Sequence, residues 1–189
     1  MWMDYTKYKH YQLIEELFDI ANMDKDSYMA TGRTIHETAR LNELRKLGMK
    51  EHRADKWFIL PVLRNGEVTE YANELPNVLE KVRQIPGVVN CTMNIYVPGG
   101  EAPIHSDYKY DMREDIVDSK KCFAILLCLH VPSTDIEQCG FELGGIQISH
   151  KSGDIIAFDG AIPHRSWNFT DDYRFTVNID IEQDYWDKA

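Results

Sequence analysis

Asn94–Ile95–Tyr96–Val97–Pro98–Gly99–Gly100–Glu101–Ala102–Pro103–Ile104–His105–Ser106–Asp107 decides how this chain is read. An alternating, apolar strand-like run meets a Pro-Gly-Gly break and ends on His-x-Asp. In a strand, residues i and i+2 share a face and lie roughly 6.6 Å apart along the chain. His105 and Asp107 therefore converge, while Ser106 points the other way. A second stretch, from Gly153 through Phe158 to His164, reads as a turn, a buried strand and a loop that delivers a histidine. Arg174–Phe175–Thr176–Val177–Asn178–Ile179 follows as an alternating strand that sets Arg174 and Thr176 on one face.

Two imidazoles and one carboxylate suit one face of an octahedral Fe(II) site that leaves further positions open. A guanidinium beside a hydroxyl suits a carboxylate, held by a bidentate pair and one more hydrogen bond. Any one of these histidines alone reads as an ordinary structural residue. The joint spacing of strand, ligand pair, distal His164 and Arg-x-Thr favours a metal site at His105, Asp107 and His164. His130 and His150 are the competitors at strand ends, but neither is followed by an arginine on an alternating strand. His10, His36 and His52 fall in the helical section and read as surface residues.

With 189 residues, 43% hydrophobic and 28% charged, the chain has the length and composition of a single domain with a substantial core. No apolar run approaches the ~20 residues of a membrane span, and the N-terminus lacks the apolar core of a signal peptide. Cys91, Cys122, Cys128 and Cys139 show no Cys-x-x-Cys spacing, so reduced, buried thiols and a cytoplasmic location are expected. Acidic residues outnumber basic ones 31 to 21, a net charge of −10, which argues against nucleic acid as partner. A small-molecule, amino-acid or peptide substrate and a homodimer are the partners that remain.

The hydrophobic spacing predicts helices over 5–22, from Thr34 to Gly48, and over 73–84, with a turn-like stretch at 22–32. Trp57–Leu63 reads as a strand before an Arg64–Asn65–Gly66 turn. From Val88 onward strands are expected at 88–97, 122–131, 141–149, 154–159 and 173–182. Gly144–Gly145 suits either a bulge or a close backbone approach. Helices first and strands later give an α+β class: a double-stranded β-helix, or jelly roll, with N-terminal helices on one face. Residues 1–87 would form a mainly helical support and 88–183 the catalytic core. Ser106–Lys121 and Pro132–Gly140 read as loops over the site, with Tyr108, Tyr110, Arg113 and Trp167 as substrate contacts.

These motifs resemble the Fe(II)/2-oxoglutarate-dependent dioxygenases, over roughly 88–183. The segment from Phe158 to Arg174 is similar to aspartyl/asparaginyl β-hydroxylase-like enzymes, and the His-x-Asp region to prolyl-hydroxylase-like ones. Enzymes resembling aspartyl β-hydroxylase commonly lack the carboxylate ligand, which Asp107 supplies here. They also carry an Arg and a His on the strand after the first ligand, where this chain has the apolar run from Phe123 to Leu129. The resemblance implies Fe(II), O₂ and 2-oxoglutarate as cofactors, with Asn94 and Tyr96 lining the co-substrate site and Arg174 and Thr176 holding its far carboxylate. It implies hydroxylation of an unactivated C–H, with release of succinate and CO₂. Two alternatives fit the same residues: a 2-oxoglutarate-dependent N-demethylase, and a non-catalytic cupin-like metal-binding module.

Overall fold

In the last strand of the chain, odd and even residues do different jobs, and this divides the molecule. The computed structural model describes residues 2–30, 56–107 and 122–186. Strand β11 (Arg174–Glu182) sends Phe175, Val177, Ile179 and Ile181 into one core and turns Arg174, Thr176, Asn178 and Asp180 the other way. The strands before it are β1 (Trp2–Met3), β2 (Trp57–Arg64), β3 (Glu67–Val68), β4 (Val88–Tyr96) and β5 (Gly100–His105). Then come β6 (Cys122–His130), β7 (Cys139–Leu143), β8 (Ile146–Ile148), β9 (Ile155–Asp159) and β10 (His164–Asn168). They form a seven-stranded sheet, ordered β1-β9-β6-β11-β4-β2-β3, facing a four-stranded one, ordered β5-β10-β7-β8. All pairings are antiparallel. This is the double-stranded β-helix expected, in the α+β class.

Strand β6 is covered on both faces, which accounts for its unbroken apolar sequence. Phe123, Ile125, Leu127 and Leu129 join the helix-side core. Ala124, Leu126 and Cys128 meet Phe141, Leu143, Ile156 and Phe158 between the sheets. Outside the large sheet pack α1 (Tyr11–Met23), through Ile14, Leu17 and Ala21, and α2 (Pro76–Val82), through Val78 and Val82. The short α3 (Gln183–Trp186) adds Trp186, which stacks on Tyr8 at 5.7 Å between ring centroids.

Several expectations need correction. The helix predicted over 73–84 is a 3₁₀ turn at Glu70–Glu74 followed by α2. Pro76 occupies the first helical position, where its missing N–H is harmless, and it keeps Leu75 out of helical conformation (φ −133°, ψ 53°). The first helix is likewise a 3₁₀ turn at Tyr5–Lys7 and then α1, and residues 25–30, read as a turn, are helical. Strands β5 and β10 were not expected as strands. The N-terminal segment is not only helical support, since β1, β2 and β3 extend the large sheet. Gly144 and Gly145, at φ +58° and +82°, are neither bulge nor close approach but the two-residue turn between β7 and β8. All four cysteines are buried free thiols. The helix predicted from Thr34 to Gly48 lies outside the described residues. Among the described residues no helix is long and apolar enough to cross a membrane.

Candidate metal centre

His105 closes β5 and His164 opens β10, and the two are direct cross-strand partners. Their rings stand 4.4 Å apart. Asp107 lies just past the end of β5, where its backbone N–H donates to Gly160 O at 2.9 Å. That bond turns its carboxylate onto both rings: His105 Nε2 is 3.5 Å from Oδ1 and His164 Nε2 is 3.5 Å from Oδ2. One ligand atom from each residue can be chosen so that all three lie within 4.8 Å of one another.

The outer nitrogens are fixed as well. His105 Nδ1 donates to Pro103 O at 2.6 Å and His164 Nδ1 to Ile162 O at 2.9 Å. Each bond selects the tautomer that leaves the Nε2 lone pair free toward Asp107, as metal-binding imidazoles require. Burial works to lower the pKa of His105, but its contact with Asp107 and the Pro103 carbonyl outweigh it, and the net shift is upward. In His164 burial prevails over Asp107 and the ring is held below its usual value. Two imidazoles and one carboxylate are a donor set for a divalent metal ion, one ligand short of the four that close a structural zinc site.

At the far end of β10 lies a second polar group. Arg174 is fully buried. Its Nη1 donates to Gly140 O at 2.9 Å and Trp167 O at 3.1 Å, and its guanidinium sits 5.0 Å over the Tyr96 ring. Among the described residues Nε and Nη2 have no hydrogen-bond partner, nor has the buried hydroxyl of Thr176. Tyr96 OH and Ser166 Oγ share a 2.7 Å hydrogen bond, and Asn94 Oδ1 accepts from Trp57 Nε1 at 3.3 Å. Trp57 stacks on Tyr96 at 5.9 Å and lies 6.0 Å from the His105 ring. Asn168 ties these elements together, its Nδ2 donating to the carbonyls of Tyr96, Val97 and Asp172.

The structure therefore brings His105, Asp107 and His164 together, and sets Arg174, Thr176, Asn94 and Tyr96 on the same inner wall of the large sheet. It does not bring Trp167 there. His164, Ser166 and Asn168 point inward along β10, so Arg165 and Trp167 face out. The Arg165 guanidinium lies 5.2 Å over the indole, and Trp167 Nε1 donates to Ile136 O at 2.9 Å. Tyr108, Tyr110 and Arg113 lie outside the described residues. Ser166 and Trp57, which contact Tyr96 and, for Trp57, the His105 ring, were not singled out from the sequence. Ser166 follows from strand parity once His164 faces in, whereas Trp57 arrives through the pairing of β2 with β4, which no local signal reveals.

The family described as aspartyl/asparaginyl beta-hydroxylase matches residues 17–184. The chain belongs to that family. The match takes in the helices and β2, which the motifs alone had left unassigned, and makes the chain one of a family of hydroxylase-type oxygenases. No curated protein matches the sequence significantly. Among solved structures, this aspartyl/asparaginyl beta-hydroxylase family member is similar to a Pseudomonas putida prolyl-4-hydroxylase. Identity is 15% and the TM-score 0.45, over 80% of this chain and 85% of that one. It is also similar to the plu4264 protein of Photorhabdus luminescens, at 9% identity and TM-score 0.44, over 74% and 84% of the two chains. A predicted oxalate decarboxylase from Thermotoga maritima is a further neighbour, at 12% identity and TM-score 0.40, over 67% and 80%.

Proposed function

We propose that this protein is an Fe(II)- and 2-oxoglutarate-dependent oxygenase. It hydroxylates an unactivated C–H of an amino-acid or peptidyl side chain, or of a comparable small molecule, releasing succinate and CO₂. One observation carries the reading: a buried arginine with two unpaired donors stands over Tyr96, whose hydroxyl bonds Ser166, two residues along β10 from His164 of the two-histidine, one-carboxylate cluster. Bound Fe(II) supplies the redox chemistry that couples O₂ and co-substrate decarboxylation to C–H hydroxylation.

The protein's own residues do the rest. His105, Asp107 and His164 hold the ion, with the two Nδ1–carbonyl bonds keeping each imidazole aimed. Arg174 and Thr176 receive the far carboxylate of 2-oxoglutarate. His164 opens β10 and Trp167, whose carbonyl accepts from Arg174, stands near its close. Three residues of strand span roughly 10 Å, a gap that a five-carbon diacid and a guanidinium side chain bridge together. Asn94 and Tyr96 line the space between, and Tyr96 is steadied by Ser166 and by the Arg174 cation over its ring. Leu126, Cys128, Phe141 and Phe158 form the apolar wall that keeps water away from the reacting atoms.

An anaerobic titration with Fe(II) and 2-oxoglutarate, followed in the visible, tests this. A weak charge-transfer absorption that needs both components supports it. Iron binding without that absorption would leave a metal-binding module in place of the oxygenase.

A further inference from the structure

We propose that His150 completes the cradle for the co-substrate's distal carboxylate, its Nε2 joining the Arg174 guanidinium and the Thr176 hydroxyl as a donor. This rests on the 2-oxoglutarate reading above and adds to it a residue that determines which acid the pocket accepts. In the β7–β8 hairpin Phe141 pairs with Ile148. His150 lies two residues past Ile148, just beyond the end of β8, and Cys139 two residues before Phe141. Cys139 adjoins Gly140, whose carbonyl holds Arg174 Nη1. Ile148 packs against the core between the sheets, and His150 is close enough to Arg174 for that charge to act on its ring. Its side chain is only 4% exposed.

The donors add up. Among the described residues, the buried side-chain nitrogens and oxygens without a partner are Arg174 Nε and Nη2, Thr176 Oγ1 and His150 Nε2, three residues only. An orphaned buried polar group costs about 1–3 kcal/mol, so finding all of them on three residues, with the Arg174 charge acting on His150, points to an absent partner. Nε and Nη2 form one edge of the guanidinium, the fork that meets a carboxylate with two parallel bonds. A carboxylate has roughly four acceptor sites. Two taken by Arg174, one by Thr176 and one by His150 fill them.

Proton balance follows from the other ring nitrogen. His150 Nδ1 lies 3.3 Å from Ile148 O and donates to it, so Nε2 bears a hydrogen only in the imidazolium. Without a bound acid, burial, and then the Arg174 charge, hold the pKa down to about 4. The other titratable groups here among the described residues are Tyr96 and the thiols Cys128, pushed up to about 12, and Cys139; burial raises all three, so none contributes charge. An arriving carboxylate offsets the Arg174 charge, and His150 takes one proton from solvent as the anion seats.

The test is calorimetric binding to Mn(II)-loaded protein, with 2-oxoglutarate and with 2-oxobutyrate, which lacks the distal carboxylate. His150→Gln should weaken 2-oxoglutarate about tenfold and leave 2-oxobutyrate and Mn(II) unchanged. Equal weakening of both acids, or none, overturns the proposal. Loss of 2-oxoglutarate in Arg174→Ala but not in His150→Gln overturns His150 alone, while wild-type protein that binds neither acid overturns the co-substrate reading and this inference with it. A second measurement needs no variant. Wild-type binding at pH 7.5, in buffers of different ionisation enthalpy, should show close to one proton taken up, and none would overturn the proposal.

Discussion

A fully buried cation with two donors unpaired among the described residues dominates the site at the scale of single residues. Arg174 has carbonyls on one side, an aromatic ring beneath it and unused donors on the third. Because buried charges left unpaired are expensive, binding of a carboxylate there gains more than a surface ion pair does. Arg174→Ala should therefore raise the apparent KM for 2-oxoglutarate by about two orders of magnitude, on the order of 3 kcal/mol, with little change in iron affinity. Steady-state kinetics beside a metal titration check both parts, and an unchanged KM would place the anchor elsewhere. Asp107→Ala or His164→Ala should abolish succinate formation with the thermal transition near wild type, because neither side chain carries the core. At this scale much was legible. His-x-Asp and Arg-x-Thr are spaced by strand geometry itself, so period two in the sequence is proximity in space. His150 was not legible, since its role depends on a hairpin register several residues away. Trp167 was misread for want of parity: three residues after an inward histidine, a strand residue faces out.

Elements were legible where they are long and buried on both faces, as in β6 and β11, and illegible where their sequence argues against them. β5 contains Pro103 and starts on glycine, yet as an edge strand paired only with β10 it has no need of every N–H. β10 is five residues of mixed polarity whose inward side chains serve the site instead of a core. Two close fits hold these strands in place. A Cβ on Gly140 would stand 2.1 Å from the Trp167 ring, which is itself hydrogen-bonded. Gly140→Ala should cost about 1–3 kcal/mol in denaturant unfolding, and should weaken co-substrate binding, because the displaced carbonyl is the one that holds Arg174. Asn168→Ala removes the donor shared by three carbonyls and should cost roughly 2 kcal/mol, again measured by unfolding.

For the whole molecule, the buried imidazoles tie stability to pH. His150 is depressed to about 4, against roughly 6.5 in an unfolded chain. Between these values the unfolded state binds more protons, so stability rises with pH across the window and falls as acid is added. The lowered His164 acts in the same sense. The raised His105 acts in the opposite one, its contribution being present below its unfolded pKa and lost as pH climbs through the folded value. Without bound acid, moving from pH 7 to pH 5 should cost wild-type protein about 2 kcal/mol more than His150→Gln. Equilibrium unfolding at the two pH values decides it, and parallel losses would contradict the assignment.

The pairing of His105 with His164 has a kinetic side. Their strands are far apart in sequence and meet only when β10 pairs with β5 in the small sheet. Loop-closure entropy must be spent before such a contact forms. His105 and Asp107 are local, but the set of three is complete only once His164 arrives, late in collapse. Metal should leave the refolding rate nearly unchanged and slow unfolding instead, acting as a latch fastened after the barrel has shut.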